Sequence, residues 1–311
     1  MVQDIFPKVF HNEYTYRGVT EEAGSIRHIP SEDDYVLSFQ GRNVFLREAD
    51  GKIHMPRYFE VKSQIGTISD GDGEVARLMY LFSIDNRQYF LFDPEAVDGS
   101  PAKAEKRVSL ELPGYEYMKI FEIRRKQPQH RVFAAETAYH LYVWYRDNRF
   151  CGRCGSPTVA DSRERMLRCP HCGNMIFPKI VPAVIVGVTR GDEILLTTYA
   201  NREYKRYALI AGFTEIGETA EETVAREVME EVGLPVKNIR YYKSQPWGFE
   251  CDLLLGFYCE VDEGRADGDL ICMDEQELAS AQWVKREDMP EYPEEISLTH
   301  EMMMRFKYGN I

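Results

Sequence analysis

The sequence has no long apolar run. Crossing a bilayer takes about 18 to 20 consecutive apolar residues, and the most apolar stretch, Ile180 to Val188, is nine residues long and contains Pro182. A membrane-spanning helix is therefore not expected. The first residues, MVQDIFPKVFHNEYTY, lack the basic start and apolar block of a secretory signal, so a cytoplasmic protein is expected. Basic charge is in short supply as well. Against 51 Asp and Glu stand 38 Lys and Arg, a net of −13 with pI about 5.1, which excludes whole-molecule attraction to nucleic acid or anionic membrane. Nor is there an even set of cysteines: seven cannot all pair, which argues against a disulfide framework.

What remains is the composition of a globular chain, 311 residues with 44% hydrophobic and 29% charged. That length is long for one core, so more than one domain is expected. Residues 1–133 read as strand-rich. Tyr35 to Phe39 and Asn43 to Leu46 flank Gly41, and Leu78 to Ile84 and Gln88 to Phe92 frame a turn at Asp85-Asn86-Arg87. No catalytic spacing stands out there, and His28, His54 and His130 are isolated. Ala134 to Arg146 lacks Gly and Pro and spaces Ala138, Leu141, Tyr142 and Tyr145 as a helix does. Further on, strands are expected at 181–188, 193–198, 253–261 and 282–284, and helices at about 220–232 and 297–306. Between Glu260 and Glu295, 13 acidic residues meet 3 basic ones, a local net of −10. Such a run reads as solvated surface unless one carboxylate in it holds a metal.

Two motifs carry chemistry. Cys151-Gly-Arg-Cys154 and Cys169-Pro-His-Cys172 are CxxC pairs separated by 14 residues. Each turn directs two sulfurs to one side, and two such turns make a tetrahedral S4 cage that suits a structural Zn2+ with no open position. Cys251, Cys259 and Cys272 are expected as reduced thiols. A ribbon of this kind also admits a nucleic-acid-binding module. Arg153, Arg163, Arg165 and Arg168 supply a basic tint, without the interleaved aromatics that would support it.

The second motif runs from Gly212 to Leu234. Thr219 and Glu222 form a capping box, Gly233 sits where a helix ends, and Val224, Val228 and Val232 form a stripe for burial. Glu227, Glu230 and Glu231 then share an arc of roughly 100° beside that stripe. Three carboxylates on one flank repel unless something positive lies between them, and a hard divalent cation is the natural counter-charge.

Gly212, Glu218, Arg226, Glu227, Glu230, Glu231 and Gly233 fill every specified position of G-x5-E-x7-R-E-U-x-E-E-x-G-U, where U is aliphatic. The segment resembles the Nudix box. Ten residues on, Ser244-Gln245-Pro246-Trp247-Gly248-Phe249 resembles the SQPWPF element of the NADH pyrophosphatase subfamily, whose members carry a four-cysteine ribbon before the Nudix fold. The resemblance covers about Ala134 to Met303. It implies an α+β chain: a Nudix α/β/α sandwich with a mixed sheet over 179–311, a linker helix and zinc ribbon over 134–178, and a strand-rich domain over 1–133.

It also implies metal-dependent hydrolysis of the diphosphate bond of NAD(H) to nicotinamide mononucleotide and AMP, with NAD-cap removal from RNA as a second activity. Mg2+ or Mn2+ would be held by Glu227, Glu230, Glu231, Glu277 and the Ala211 carbonyl. Glu231 would activate water, Arg226 would orient the glutamates, and Glu218 would support the loop. Phe177 and Phe213 match aromatics that sandwich the nicotinamide, one from a partner subunit, which implies a homodimer. Gln245, Trp247, Phe249, Asp252 and Thr299 fall at substrate-lining positions. The chain departs from the subfamily's SQPWPFPxS at Gly248, Glu250 and Asp252, and from its SIA element at Thr299. Losing two prolines loosens a loop, and the new carboxylates must face away from an anionic substrate, meet a cation or recognise a different leaving group. A Nudix hydrolase for ADP-ribose or a dinucleoside polyphosphate is the enzyme alternative. A non-catalytic nucleotide sensor is the alternative of another class.

Overall fold

The computed structural model describes every residue except 13–27, 70–73, 77, 94–108, 162, 201–205, 265–270 and 292–295. Arg265, Asp267, Asp269, Glu294 and Glu295 of the acidic run thus lie outside the described residues. The chain divides into two compact units, one of residues 2–179 with 248–250, the other of residue 1 with 180–247 and 251–311. No unit boundary falls at 133, because the helix that starts near it is buried together with the N-terminal strands.

In the first unit, polar and glycine turns keep the strands short: β1 (Phe10–His11), β2 (Tyr35–Leu37), β3 (Phe39–Gln40), β4 (Asn43–Ala49), β5 (Lys52–His54), β6 (Thr67–Ser69), β7 (Glu74–Ala76), β8 (Met79–Ile84), β9 (Arg87–Leu91) and β10 (Glu116–Lys119). One sheet has the order β1-β8-β9-β2 and another β10-β4-β3 with β5 on β4, while β6 pairs with β7. Val36, Phe45, Val61, Ile65, Phe92 and Leu110 form a core here. Helix α1 (Tyr58–Val61) contributes Val61 to it. The expected helix is α2 (Gln129–Asp147), buried on most of its surface from Val132 to Tyr145. The ribbon follows as the antiparallel strands β11 (Val159–Ala160), β12 (Leu167–Arg168) and β13 (Met175–Ile176).

Helix α2 also buries a carboxyl. Glu136 is 2% exposed. The Gly248 N–H donates to its Oε1 at 2.7 Å, and its Oε2 has no hydrogen-bond partner among the described residues. Burial pushes this carboxyl up to about 8, against the lowering effect of the Gly248 hydrogen bond.

The second unit is one mixed sheet between helices. Its strands are β14 (Val181–Arg190), β15 (Glu193–Tyr199), β16 (Ile210–Phe213), β17 (Val236–Trp247), β18 (Asp252–Val261) and β19 (Leu278–Lys285), in the order β17-β18-β14-β15-β19 with β16 also on β14. β14 and β18 run parallel and the other pairs antiparallel. Alternation along β14 sorts its side chains to two faces. Val184, Val186 and Val188 pack with Val224, Val228 and Val232 of α3 (Ala220–Val232). Ile185 packs with Leu298, Met302 and Phe306 of α4 (Leu298–Lys307). This is the expected α/β/α sandwich. The capping box at Thr219 closes in both directions, and Gly233 ends α3 in the left-handed region at φ 71°. Strand β17 was not expected, since most of its residues are half-buried or exposed and show little apolar alternation. No helix among the described residues is long and apolar enough to cross a membrane.

Val228→Ala removes two fully buried carbons and leaves a cavity. It is expected to cost about 2 kcal/mol in urea denaturation with an unchanged m value. Glu136 generates a second expectation. Its folded value of about 8 lies above the ordinary 4.5, so its favourable contribution is complete below pH 4.5 and is lost as pH rises through 8. The melting temperature of wild type, relative to Glu136→Gln, should therefore fall from pH 5 to pH 8.5; a difference that stays flat would refute the buried neutral acid.

Candidate active site

Helix α3 carries its carboxylates on the flank beside the valine stripe. Glu231 is buried, 4% exposed, and its Oε1 accepts from the Ala211 N–H at 3.4 Å. Glu227 is half-buried and Glu230 is open to solvent. β16 brings Ala211 and Gly212 to this flank through its pairing with Ile185 and Val184 of β14. A Cβ on Gly212 would lie 1.9 Å from the Glu227 carboxyl carbon, so only glycine admits that side chain between helix and strand.

Arg226 holds the cluster together. Its Nε and Nη2 donate to the two oxygens of Glu218 at 2.6 and 3.0 Å. Nη1 donates to Glu227 Oε1 at 2.8 Å and to Glu230 Oε2 at 2.9 Å. Nη2 also reaches the Phe213 carbonyl at 2.9 Å. The guanidinium holds the Glu218 carboxyl down at about 2, with further help from the Glu215 N–H and Thr223 hydroxyl. Glu227 moves the other way. Burial raises it, Arg226 opposes that, and the charges of Glu230 and Glu277 raise it further.

Glu277 reaches the cluster through its loop. The Cys272 and Asp274 N–H groups donate to the Val232 and Glu231 carbonyls at 3.0 and 2.9 Å. The Glu277 N–H in turn donates to the Asp274 carbonyl, and its side chain is exposed. Glu218, Glu227 and Glu230 thus gather around one guanidinium, with Glu231 beside them on α3 and Glu277 near enough for its charge to act on Glu227. Five carboxylates against one cation, all hard oxygen donors, suit a divalent ion of the Mg2+ or Mn2+ type. With Arg226 between them, the carboxylates stand wider apart than the ligands of a single ion.

On the edge strand β17, in register through Leu254 and Ala183 with Phe213, Gln245 is fully buried. Its Nε2 donates to the Ile296 carbonyl at 2.9 Å, and its Oε1 accepts from the Leu298 N–H at 2.6 Å. It therefore fixes the start of α4, on which Thr299 is half-buried. Trp247, half-buried, and Asp252, largely buried, are cross-strand partners in the last rung of β17 and β18. Phe213 is 54% exposed. In the first unit Phe177 is equally exposed, whereas Phe249 is 1% exposed and meets Phe121 edge-on at 5.8 Å. The buried Phe249 ring thus helps hold its loop against Phe121. Glu136 and Arg42, which hold the same loop, had no signal in the sequence.

The ribbon cysteines do come to ligand spacing. Cys151 and Cys172 sulfurs are 3.6 Å apart, Cys154 and Cys169 sulfurs 3.5 Å, and all four lie within 4.8 Å. Sulfurs about 2.3 Å from a tetrahedral Zn2+ would be about 3.8 Å apart. The Ser156 N–H and hydroxyl draw Cys154 down to about 5. Against a lowering hydrogen bond from Asn174, burial and the neighbouring sulfurs push Cys172 up to about 12. Four thiolates this close need a cation, and the donor set fits Zn2+.

Comparison with known proteins agrees. Residues 179–305 match the NUDIX domain, and residues 146–177 match the NADH pyrophosphatase zinc ribbon domain. A Citrobacter koseri protein named NAD-capped RNA hydrolase NudC is 42% identical over 159 residues, 51% of this chain and 60% of that protein. Proteins of the same name from Klebsiella pneumoniae and Salmonella typhi give the same figures. The match therefore spans less than two thirds of these relatives' length. A NUDIX hydrolase structure from Nitrosomonas europaea is 21% identical, covers 51% of this chain and 90% of its own, and superposes with a TM-score of 0.42. Residues 179–305 thus match the NUDIX domain and are preceded by a segment that matches the NADH pyrophosphatase zinc ribbon domain.

Proposed function

We propose that the protein hydrolyses the diphosphate bond of NAD(H), giving nicotinamide mononucleotide and AMP. The observation that carries this reading is the carboxylate array clamped by Arg226, in a Nudix domain joined to this type of ribbon. Glu227, Glu230, Glu231, Glu277 and the Ala211 carbonyl are the groups to hold Mg2+ or Mn2+. When bound, such an ion neutralises the diphosphate and lowers the pKa of bound water.

The chain's own residues then have distinct tasks. Arg226 keeps Glu227 and Glu230 oriented and ties the Phe213–Glu218 loop to α3. Glu231, buried and fixed on one side by the Ala211 N–H, is placed to accept the proton of the attacking water. The water oxygen bonds to phosphorus, and the bond from phosphorus to the bridging oxygen breaks. Gln245 sets the start of α4 beside Trp247 and Asp252, the groups assigned to substrate. Exposed Phe177 and Phe213 are the apolar surfaces assigned to the nicotinamide, with a homodimer as the working assembly and the cytoplasm as its setting. The relatives' name extends the reading to NAD caps on RNA, where the dinucleotide is the group recognised and the acidic chain makes no broad contact with the nucleic acid. The closed S4 ribbon is structural.

Incubation of the full chain with NADH, NAD+, ADP-ribose and diadenosine polyphosphates in Mg2+ or Mn2+ should give mononucleotide products from NADH and NAD+. Glu231→Gln should lower kcat/KM on the order of a hundredfold or more, with the melting temperature held. Failure of wild type to cleave any of them rejects the hydrolase, and strong preference for ADP-ribose rejects only the NAD(H) assignment. Native mass spectrometry should find one Zn2+ per chain, lost in Cys169→Ser together with cooperative unfolding of the ribbon; a metal-free ribbon that unfolds cooperatively would contradict a structural zinc.

A further inference from the structure

Residues 248–250 join β17 to β18, and each departure from the subfamily's prolines in this loop has a partner in the first unit. The Gly248 N–H donates to Glu136 Oε1 at 2.7 Å, a bond that proline, without an N–H, cannot make. A Cβ at 248 would lie 2.7 Å from the Glu136 carbonyl oxygen and 2.9 Å from its Cγ, so the loop approaches α2 as closely as only glycine permits. Glu250 pairs with the Arg42 guanidinium, which also donates to the Phe249 carbonyl at 3.4 Å. The Phe249 ring is buried against Phe121. The loop that the lost prolines were expected to loosen is thus fastened at each of its residues.

The fastenings are unequal. Arg42 and Glu250 are both about half exposed, where an ion pair contributes little. The Glu136–Gly248 bond is buried, where an N–H deprived of its acceptor is costly. The turn needs such a hold, since Cys251 takes the left-handed conformation at φ 67°, a geometry that non-glycine residues keep only when their surroundings impose it.

We propose that Glu136 is a positioning residue for the substrate-binding end of β17 and β18, its carboxyl fixing through the Gly248 N–H the turn that links Trp247 to Asp252. This assignment rests on the NAD(H) reading, in which those two residues line the dinucleotide site. Glu136 itself touches no substrate. It acts through the backbone, and it replaces the rigidity of two prolines with a hydrogen bond between residues 112 positions apart.

The test compares Glu136→Gln, which keeps an acceptor at the Oε1 position, with Glu136→Met, which keeps the volume and removes the acceptor. Hydrogen exchange is followed over residues 246–253 of the full chain, and kcat and KM are measured for NADH. Glu136→Met should speed exchange in this segment about tenfold or more, the loss of one buried hydrogen bond. It should raise KM by a similar factor and leave kcat within about threefold, while Glu136→Gln returns both exchange and KM to within about twofold of wild type. Wild-type exchange and KM in Glu136→Met would overturn the proposal, as would failure of Glu136→Gln to restore them. A wild type that cleaves no dinucleotide sinks the functional reading alone, and the exchange comparison still decides whether Glu136 holds the turn.

Discussion

Like charges held at close range are the constraint on which the Nudix unit is organised. Glu218, Glu227 and Glu230 converge on Arg226, and Glu231 and Glu277 add charge without adding a counter-charge. A guanidinium suits this position because its planar fork serves several oxygens at once, which a lysine ammonium on a flexible stem would not. The arrangement makes demands on its surroundings. The strand facing α3 must lack a side chain at Gly212, the valine stripe must fix the rotation of the helix, and the loop before the helix must return Glu218 to the same guanidinium. Core packing and electrostatics are therefore coupled here, with the valines setting where the charges point.

The site was legible in the sequence where its signals are local. The capping box, the four-residue valine spacing and the terminal glycine all lie within one helix, and they define α3 to the residue. The ribbon was equally legible, because two CxxC turns bring their own geometry. Strand β17 was not, since its exposed and half-buried residues give no clean alternation. Glu136 and Arg42 were invisible for a different reason. Their partners lie 112 and 208 residues away, and nothing in AAETAYHLYVWYR distinguishes a glutamate facing water from one buried against a distant glycine. The edge-on contact of Phe249 with Phe121 was equally hidden, since the two rings lie far apart in the sequence.

The net acidity also takes on a more definite meaning. Part of it is assembled against one arginine, and the four ribbon cysteines form a second centre with soft donors. The two differ in donor chemistry, oxygen in one and sulfur in the other. The remaining described carboxylates of the acidic run are mostly exposed and carry no such geometry.

The hairpin of β17 and β18 leaves the end of α3 at Gly233, and the chain comes back to that same end, where Cys272 and Asp274 bond the last carbonyls of the helix. The helix terminus thus acts as a clasp that closes the chain on both sides of the hairpin. Gly212, which faces Glu227, stands in register through Val184 with Leu255, so the carboxylates lie three residues along β18 from Asp252 and share one end of the sheet with it.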